Sequence, residues 1–267
     1  MTEAFGFNCS VGYVATLCQK INDKAFDKMK LLNECVKEKA KMIIVDETFP
    51  KIKEAGATRL AVAIDEFGLI RSLKAIIDRK KDLYQFFQTV LESIKPLYFL
   101  SDYDKTYPKL VEEFDPDIIL CKDFVHAIGT IHRDARTTIN KITVKTRGNL
   151  TQVRKKEIKQ LKKRLISKQL YRVLYRIQRG FWKENAQIGA TYIEGGLEEL
   201  KELAQRFPSL EGFYKKTAKF INKYIDTWAF QMELNYNQGL PTTSNSIESK
   251  NSLFKVYRNN SKCFDSK

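Results

Sequence analysis

The sequence predicts an α/β fold whose second half is almost wholly helical. Two patterns lead there. Five short apolar runs fall between residues 41 and 120, and segments of helical periodicity separate the last three. Beyond about residue 122, apolar residues recur mainly at spacings of three and four. Helical crossovers favour parallel pairing of the strands they join, whereas the second and third runs are close enough to form a hairpin. A mixed five-stranded sheet with flanking helices is therefore expected, with an all-helical insertion before a last helix.

The elements follow in order. Residues 12–40 carry Val14, Leu17, Ile21, Met29, Leu32 and Val36 at helical spacing. They read as a helix or helix pair packed on the following core, or alternatively as the remnant of a helix-turn-helix with residues 10–22 as its recognition helix. Strands are predicted over 41–46, 59–64 and 69–77, the last two joined by the turn Asp65-Glu-Phe-Gly68. Leu83, Phe86, Phe87, Val90, Leu91 and Ile94 predict a helix over 82–94, which Pro96 stops. A fourth strand over 97–100 runs into Ser101-Asp102, a short helix spans 105–114, and a fifth strand spans 117–120. Helices are predicted over 152–181, 197–207 and 210–236, with Ile158, Leu161, Leu165, Val173, Ile177 and Phe181 on one stripe of the first. Gly239-Leu-Pro241 is a break, and a last helix starts near Ser244. The domain reading is a helical segment over 1–40, the first part of the core over 41–140, a basic helical insertion over 141–240, and the return of the core over 241–267.

Lys and Arg number 47 against 32 Asp and Glu, a net charge of +15, which points to a polyanionic partner. Residues 141–180 hold 14 of the cations and a single acid, Glu157. With 43% hydrophobic and 30% charged residues the chain reads as folded and soluble. Two histidines, His126 and His132, exclude a His-rich metal centre. Five cysteines without a CxxC pair argue against a disulfide scaffold or zinc site and fit a reducing compartment. The start carries no signal-peptide pattern, and no apolar run reaches the roughly 18 residues of a membrane helix.

Three acids stand out by position. Asp46 ends the first strand, Asp102 follows the fourth, and Glu248 opens the last helix. If the first and fourth strands are parallel neighbours, both aspartates emerge at the carboxyl edge, where open α/β sheets place their sites. Carboxylates held close together need a cation between them, and Mg²⁺ suits oxygen ligands. The plainer alternatives are an Asp capping the next turn and a capping box formed by Asn245 and Glu248. Asp65 and Asp104 are weaker candidates, at a hairpin turn and two residues past a strand end.

The fragments Ile-Ile-Val-Asp46-Glu-Thr48, Phe-Leu-Ser-Asp102-Tyr-Asp-Lys-Thr-Tyr107-Pro and Thr-Thr-Ser-Asn245-Ser-Ile-Glu248-Ser-Lys-Asn251 resemble the three acidic blocks of DDE transposases. The resemblance spans roughly residues 40–260. It implies an RNase H-like catalytic fold, whose strand and helix order agrees with the one read above, and Asp46, Asp102 and Glu248 as ligands of Mg²⁺ or Mn²⁺. The 146 residues from Asp102 to Glu248 imply a helical insertion, as in the Mutator-type group and its bacterial insertion-sequence relatives. That group carries a Cys-or-Asp, two residues, then His motif, which Asp123-Phe-Val-His126 fits; His126 would then lie near the scissile phosphate, with His132 and Arg133 as weaker companions. An ordinary helix-face histidine is the alternative. Tyr103 stands where relatives often have Gly, and no complete N-terminal recognition domain is evident, as in a truncated copy.

Arg154, Lys155, Lys156, Lys162, Lys163 and Arg164 on the basic helix are expected to neutralise DNA phosphates, as are Lys250, Lys255 and Arg258 near Glu248. Trp182 is a candidate for stacking on an unpaired base, whereas Tyr171 and Tyr175 read better as packing residues. The expected activity is metal-dependent cleavage and strand transfer at transposon ends, by a dimer or larger assembly on double-stranded DNA. The expected location is the bacterial cytoplasm at the nucleoid, or the nucleus in a eukaryote. An inactive transposase-derived DNA-binding protein and an RNase H-like nuclease without strand transfer are the alternatives.

Overall fold

The computed structural model describes residues 40–48, 59–142 and 151–245, together with Lys24 and Asp27, both helical. The rest of the helix expected over 12–40, and the last helix beyond Asn245, lie outside the described residues. The chain divides into two compact units. One comprises Met1–Asp123 with Thr243–Lys267, and the other is Phe124–Thr242.

The first unit is built on a five-stranded mixed sheet. Its strands are β1 (Met42–Thr48), β2 (Arg59–Asp65), β3 (Ile70–Ile76), β4 (Tyr98–Ser101) and β5 (Ile119–Lys122), in the order β3-β2-β1-β4-β5. The first three pair antiparallel; β1 with β4 and β4 with β5 are parallel. Helices α1 (Arg79–Ile94) and α2 (Thr106–Phe114) supply the crossovers, as their interposition between successive strands predicts.

Both sheet faces are apolar and buried. Ile43, Val45, Ala61, Ala63, Ile76 and Phe99 join one core with α1 and with Tyr107 and Val111 of α2. Met42, Ile44, Val62, Ile64, Leu100 and Cys121, on the alternate positions, are buried too. This is why β1 reads as a continuous apolar run rather than an alternating one. Helix α1 buries the six apolar residues whose spacing predicts it, together with Thr89. It starts three residues earlier than periodicity suggests, because Asp78 caps it by accepting from the Lys80 and Lys81 amides. At the β2–β3 turn, Gly68 takes φ 80°, and buried Asp65 accepts from the Phe67 and Leu69 amides and from Arg71. Asp65 is thereby a turn residue, at the edge of the sheet where β1 begins.

The second unit is helical: α3 (Phe124–Lys141), α4 (Gln152–Phe181), α5 (Ala186–Arg206) and α6 (Glu211–Gln238), with a 3₁₀ turn at Pro208–Leu210. It therefore takes in residues 124–140, which the sequence pattern assigns to the core. Phe181 is the centre of its aromatic packing, against Phe124 and Trp228 at ring-centroid distances of 5.2 and 4.8 Å.

Two expectations change here. Helix α5 begins at Ala186 rather than 197. Gly189, Gly195 and Gly196 interrupt the apolar pattern, yet these glycines let two helices approach. A Cβ on Gly180 would lie 2.7 Å from the Gly189 carbonyl oxygen, and one on Gly189 would lie 2.8 Å from that of Gly180. On α4, the buried residues are Ile166, Leu170, Val173, Leu174, Ile177, Gly180 and Phe181. Leu161 and Leu165 are 62% and 51% exposed, so they do not share the stripe of Val173, Ile177 and Phe181. With Ile158 they lie roughly a third of a turn away round the helix.

A glycine pair tests the helix contact. Gly189→Ala should destabilise the helical unit by about 1–3 kcal/mol in urea unfolding, because backbone blocks the new methyl. Gly212→Ala, in the first turn of α6 with open space about it, should be neutral or stabilising by up to about 1 kcal/mol.

Candidate functional site

The carboxyl edge of the sheet gathers the acids. Val45 pairs with Ser101 across β1 and β4, and Ser101 with Lys122 across β4 and β5. The next residue in each case is an aspartate: Asp46 within β1, two residues before its end, and Asp102 and Asp123 directly after the ends of β4 and β5. The parallel register therefore brings all three to the same edge of the sheet, where neighbouring strands run about 4.8 Å apart. Asp46 and Asp102 are partly exposed, whereas Asp123 is fully buried.

Their partners separate them further. Asp123 Oδ2 accepts from the Ser244 amide at 2.7 Å and from the Ser244 hydroxyl at 2.5 Å. It thus ties the end of β5 to a residue 121 positions later, four short of Glu248 in the chain. Asp102 Oδ1 accepts from the Asp104 amide at 2.9 Å. The Lys122 ammonium, 6% exposed, donates to the Asp102 carbonyl at 2.9 Å and approaches the Ser101 hydroxyl at 3.4 Å. Lys122 thereby holds the backbone turn that presents Asp102.

A second polar cluster lies on the opposite face of the same edge, where Glu47 follows Asp46. Its side chain is 7% exposed and accepts from Tyr107 Oη at 2.6 Å, Arg59 at 3.1 Å and Arg79 at 3.2 Å. Arg79 also reaches Asp104 Oδ2 at 2.5 Å, and Asp104 Oδ1 accepts from the Thr106 amide at 2.8 Å. Burial raises the Asp104 carboxyl, but Thr106 and the Arg79 guanidinium outweigh it and hold the group below its usual range. Burial and then the Glu47 carboxylate push the Tyr107 hydroxyl far up, so it stays a neutral donor. Cys121, beneath the row, is raised to about 12 by burial, against the opposing pull of Lys122, and is no nucleophile at neutral pH.

Asp46 and Asp102 offer hard oxygen donors on adjacent strands, a set suited to Mg²⁺ or Mn²⁺. Among the described residues, no three His, Cys, Asp or Glu side chains gather closely enough to hold a metal ion. Glu248, the third acid expected from the sequence, lies outside the described residues, as do Lys250, Lys255 and Arg258.

His126 is half-buried on α3 of the helical unit. His132 stacks on Tyr171 at 6.0 Å and Arg133 is exposed, bonding Thr130. Arg154, Lys156, Lys162 and Arg164 are exposed on α4 and Lys155 and Lys163 partly so, with Lys163 reaching the Asn140 carbonyl. Trp182 ends α4 half-exposed, in a T-shaped contact with Phe124 at 6.4 Å between ring centroids. Tyr175 is 59% exposed beneath Arg179, which is not the packing position expected for it. Among the described residues, no helix is long and apolar enough to cross a membrane.

Sequence reasoning missed Glu47, Arg79, Lys122 and the anchoring role of Asp123. The one local signal for Glu47 was an acid adjoining an acid at a strand end. Its donors come from 12, 32 and 60 residues away. No family model matches this chain, and no curated protein does.

The depressed Asp104 carboxyl carries a pH signature. Its folded-state value is below the unfolded one, so it stabilises the fold above the usual Asp range and loses that contribution as pH falls through it. Asp104→Ala should therefore lower the urea midpoint at pH 7, and its deficit against the unsubstituted chain should shrink towards pH 3. A deficit constant with pH would contradict this.

Proposed function

We propose that this protein is a DDE-type transposase with an RNase H-like catalytic core, cleaving DNA at transposon ends and transferring the freed strand. The observation that carries the reading is the placement of Asp46 on β1 and of Asp102 directly after β4, its parallel neighbour, at the carboxyl edge. Supporting it are the strand and helix order, the helical unit inserted between Asp123 and Thr243, and the Ser244 anchor at the chain's return.

Asp46, Asp102 and Glu248 would hold the Mg²⁺ or Mn²⁺ ions. When bound, such ions polarise the scissile phosphate and lower the pKa of an attacking hydroxyl. The chain's own groups do the rest. Asp46, within β1, and Asp102, directly after β4, would set where those ions, and through them the reacting phosphate, are held. His126 orients that phosphate or moves a proton at its oxygen. The exposed cations of α4, with Lys250, Lys255 and Arg258, neutralise backbone phosphates, and Trp182 offers a face for an unpaired base. Joining two ends requires two or more copies on the DNA. Such a protein works at the bacterial nucleoid or in a nucleus.

End-labelled duplex DNA incubated with Mg²⁺ or Mn²⁺ tests the proposal. Strand cleavage followed by joining is expected. Asp46→Ala and Asp102→Ala should each lower the rate at least about a thousandfold with DNA affinity retained. Cleavage without joining would instead indicate a nuclease, and DNA binding without cleavage a binding protein. Replacing Lys155, Lys156, Lys162 and Lys163 by Gln should flatten the salt dependence of duplex binding, with a slope change of up to about 0.9 for each phosphate no longer neutralised. An unchanged slope would remove these residues from the interface.

A further inference from the structure

We infer that Arg79 is a positioning residue that sets the spacing between the Asp46 and Asp102 carboxylates. The inference rests on the reading of those two acids as a cation site. Its basis is one guanidinium joining the residues that follow or cradle each acid. Arg79 Nη2 lies 3.2 Å from Oε1 of Glu47, the neighbour of Asp46, and 2.5 Å from Oδ2 of Asp104. The Asp104 amide in turn donates to Asp102 Oδ1 at 2.9 Å. Nη1 reaches the Thr106 hydroxyl at 3.4 Å, at the start of α2.

Both ends of this bridge are stiff. Arg79 is the first residue of α1, and that start is pinned twice: Asp78 accepts from the Lys80 and Lys81 amides, and Asp82 accepts from the amides of Ile77 and Asp78. Glu47 is separately clamped by Arg59 and Tyr107. The Asp104 loop is closed by the Thr106 amide. The two N–H groups of Nη2 point in fixed directions in the guanidinium plane and hold the two carboxylates at a set angle, with Nη1 on Thr106 fixing that plane, whereas a lysine ammonium rotates freely. The pairing β1–β4 fixes the two backbones side by side, but β4 ends at Ser101, so Asp102 lies beyond the ladder. There Lys122 holds the Asp102 carbonyl, and the Arg79 bridge adds the constraint on the side-chain end through Asp104.

Arg71 provides the control. It makes a comparable bond to buried Asp65, 2.8 Å long, in the same unit, at the edge of the sheet where β1 begins. A purely structural role would make Arg79 and Arg71 behave alike.

The test is calorimetric titration of the whole chain with Mn²⁺ and, separately, Ca²⁺. Arg79→Lys should weaken Mn²⁺ binding about tenfold, the scale on which groups that orient metal ligands act. It should also narrow the preference for Mn²⁺ over the larger Ca²⁺, since a looser pair discriminates size less. Arg71→Lys should lower thermal stability while leaving both affinities unchanged. Should Arg79→Lys fail to fold by circular dichroism, Asp104→Ala, which breaks one arm of the bridge, is expected to shift Mn²⁺ binding in the same direction. Wild-type affinity and preference in the Arg79 or Asp104 variant, or equal weakening by Arg71→Lys, overturns the inference. If Asp46→Asn leaves Mn²⁺ binding untouched, the acidic pair is not a cation site, and the reading beneath the inference fails as well.

Discussion

The acidic edge depends on the register between β1 and β4, and that register is not set by hydrophobicity alone. Ile43 and Val45 face the helices, Met42 and Ile44 face the other way, and all four are buried. A one-residue slip would exchange one apolar set for another at little cost in burial, so two-sided strands of this kind are weakly specified by pattern. The polar ends break the degeneracy. Glu47 finds Tyr107, Arg59 and Arg79 only on the helix-facing side. A slip would turn it away from all three and leave the buried end of Glu47 and the Tyr107 hydroxyl without these bonds. With Glu47 so held, alternation puts Asp46 on the opposite face, beside Asp102.

This explains what could be read along the chain and what could not. Asp46 and Asp102 were legible because each ends an apolar run, and a polar residue at such a boundary is visible locally. Helix α1 was legible because its apolar spacing matches its buried face. Glu47 was not, since its meaning lies in three donors scattered over 60 residues. The start of α5 was hidden because glycine is a poor helix former locally, whereas the Gly180–Gly189 contact that justifies it is tertiary. Leu161 and Leu165 misled in the opposite direction. They keep helical spacing, but α4 buries no residue before Ile166, and periodicity cannot report where neighbouring helices end.

Asp123 shows how a motif can be recognised with its work unassigned. In the Asp-x-x-His pattern the resemblance assigned a role near a phosphate to His126 and none to Asp123. Its surroundings give Asp123 a role of its own. A fully buried carboxylate needs donors, and Ser244 supplies two. The bond joins the two chain segments of the sheet unit, 1–123 and 243–267, across the whole helical unit between them. A helical insertion of this size can be accommodated only if the chain is returned accurately to the sheet. A charge-assisted pair of bonds at the return point does this more specifically than apolar packing, because its geometry admits one partner.

The charge on α4 bears on the partner. Lys155 with Lys159, Lys159 with Lys163, Arg164 with Lys168, Lys168 with Arg172, and Arg172 with Arg176 are like charges four residues apart. Such pairs destabilise a helix by about 0.2–0.5 kcal/mol each. Before Ile166, α4 has no buried side chain to offset that, and its one acid, Glu157, has a cation three residues away in Arg154 but none four away. A helix carrying this repulsion gains stability when the charges are neutralised from outside. A polyanion does so along the helix's length, and each phosphate it presents also releases counterions. A second copy of the same helix would add repulsion instead. The charge of this stretch is therefore better balanced by a polyanion than by a second copy of α4.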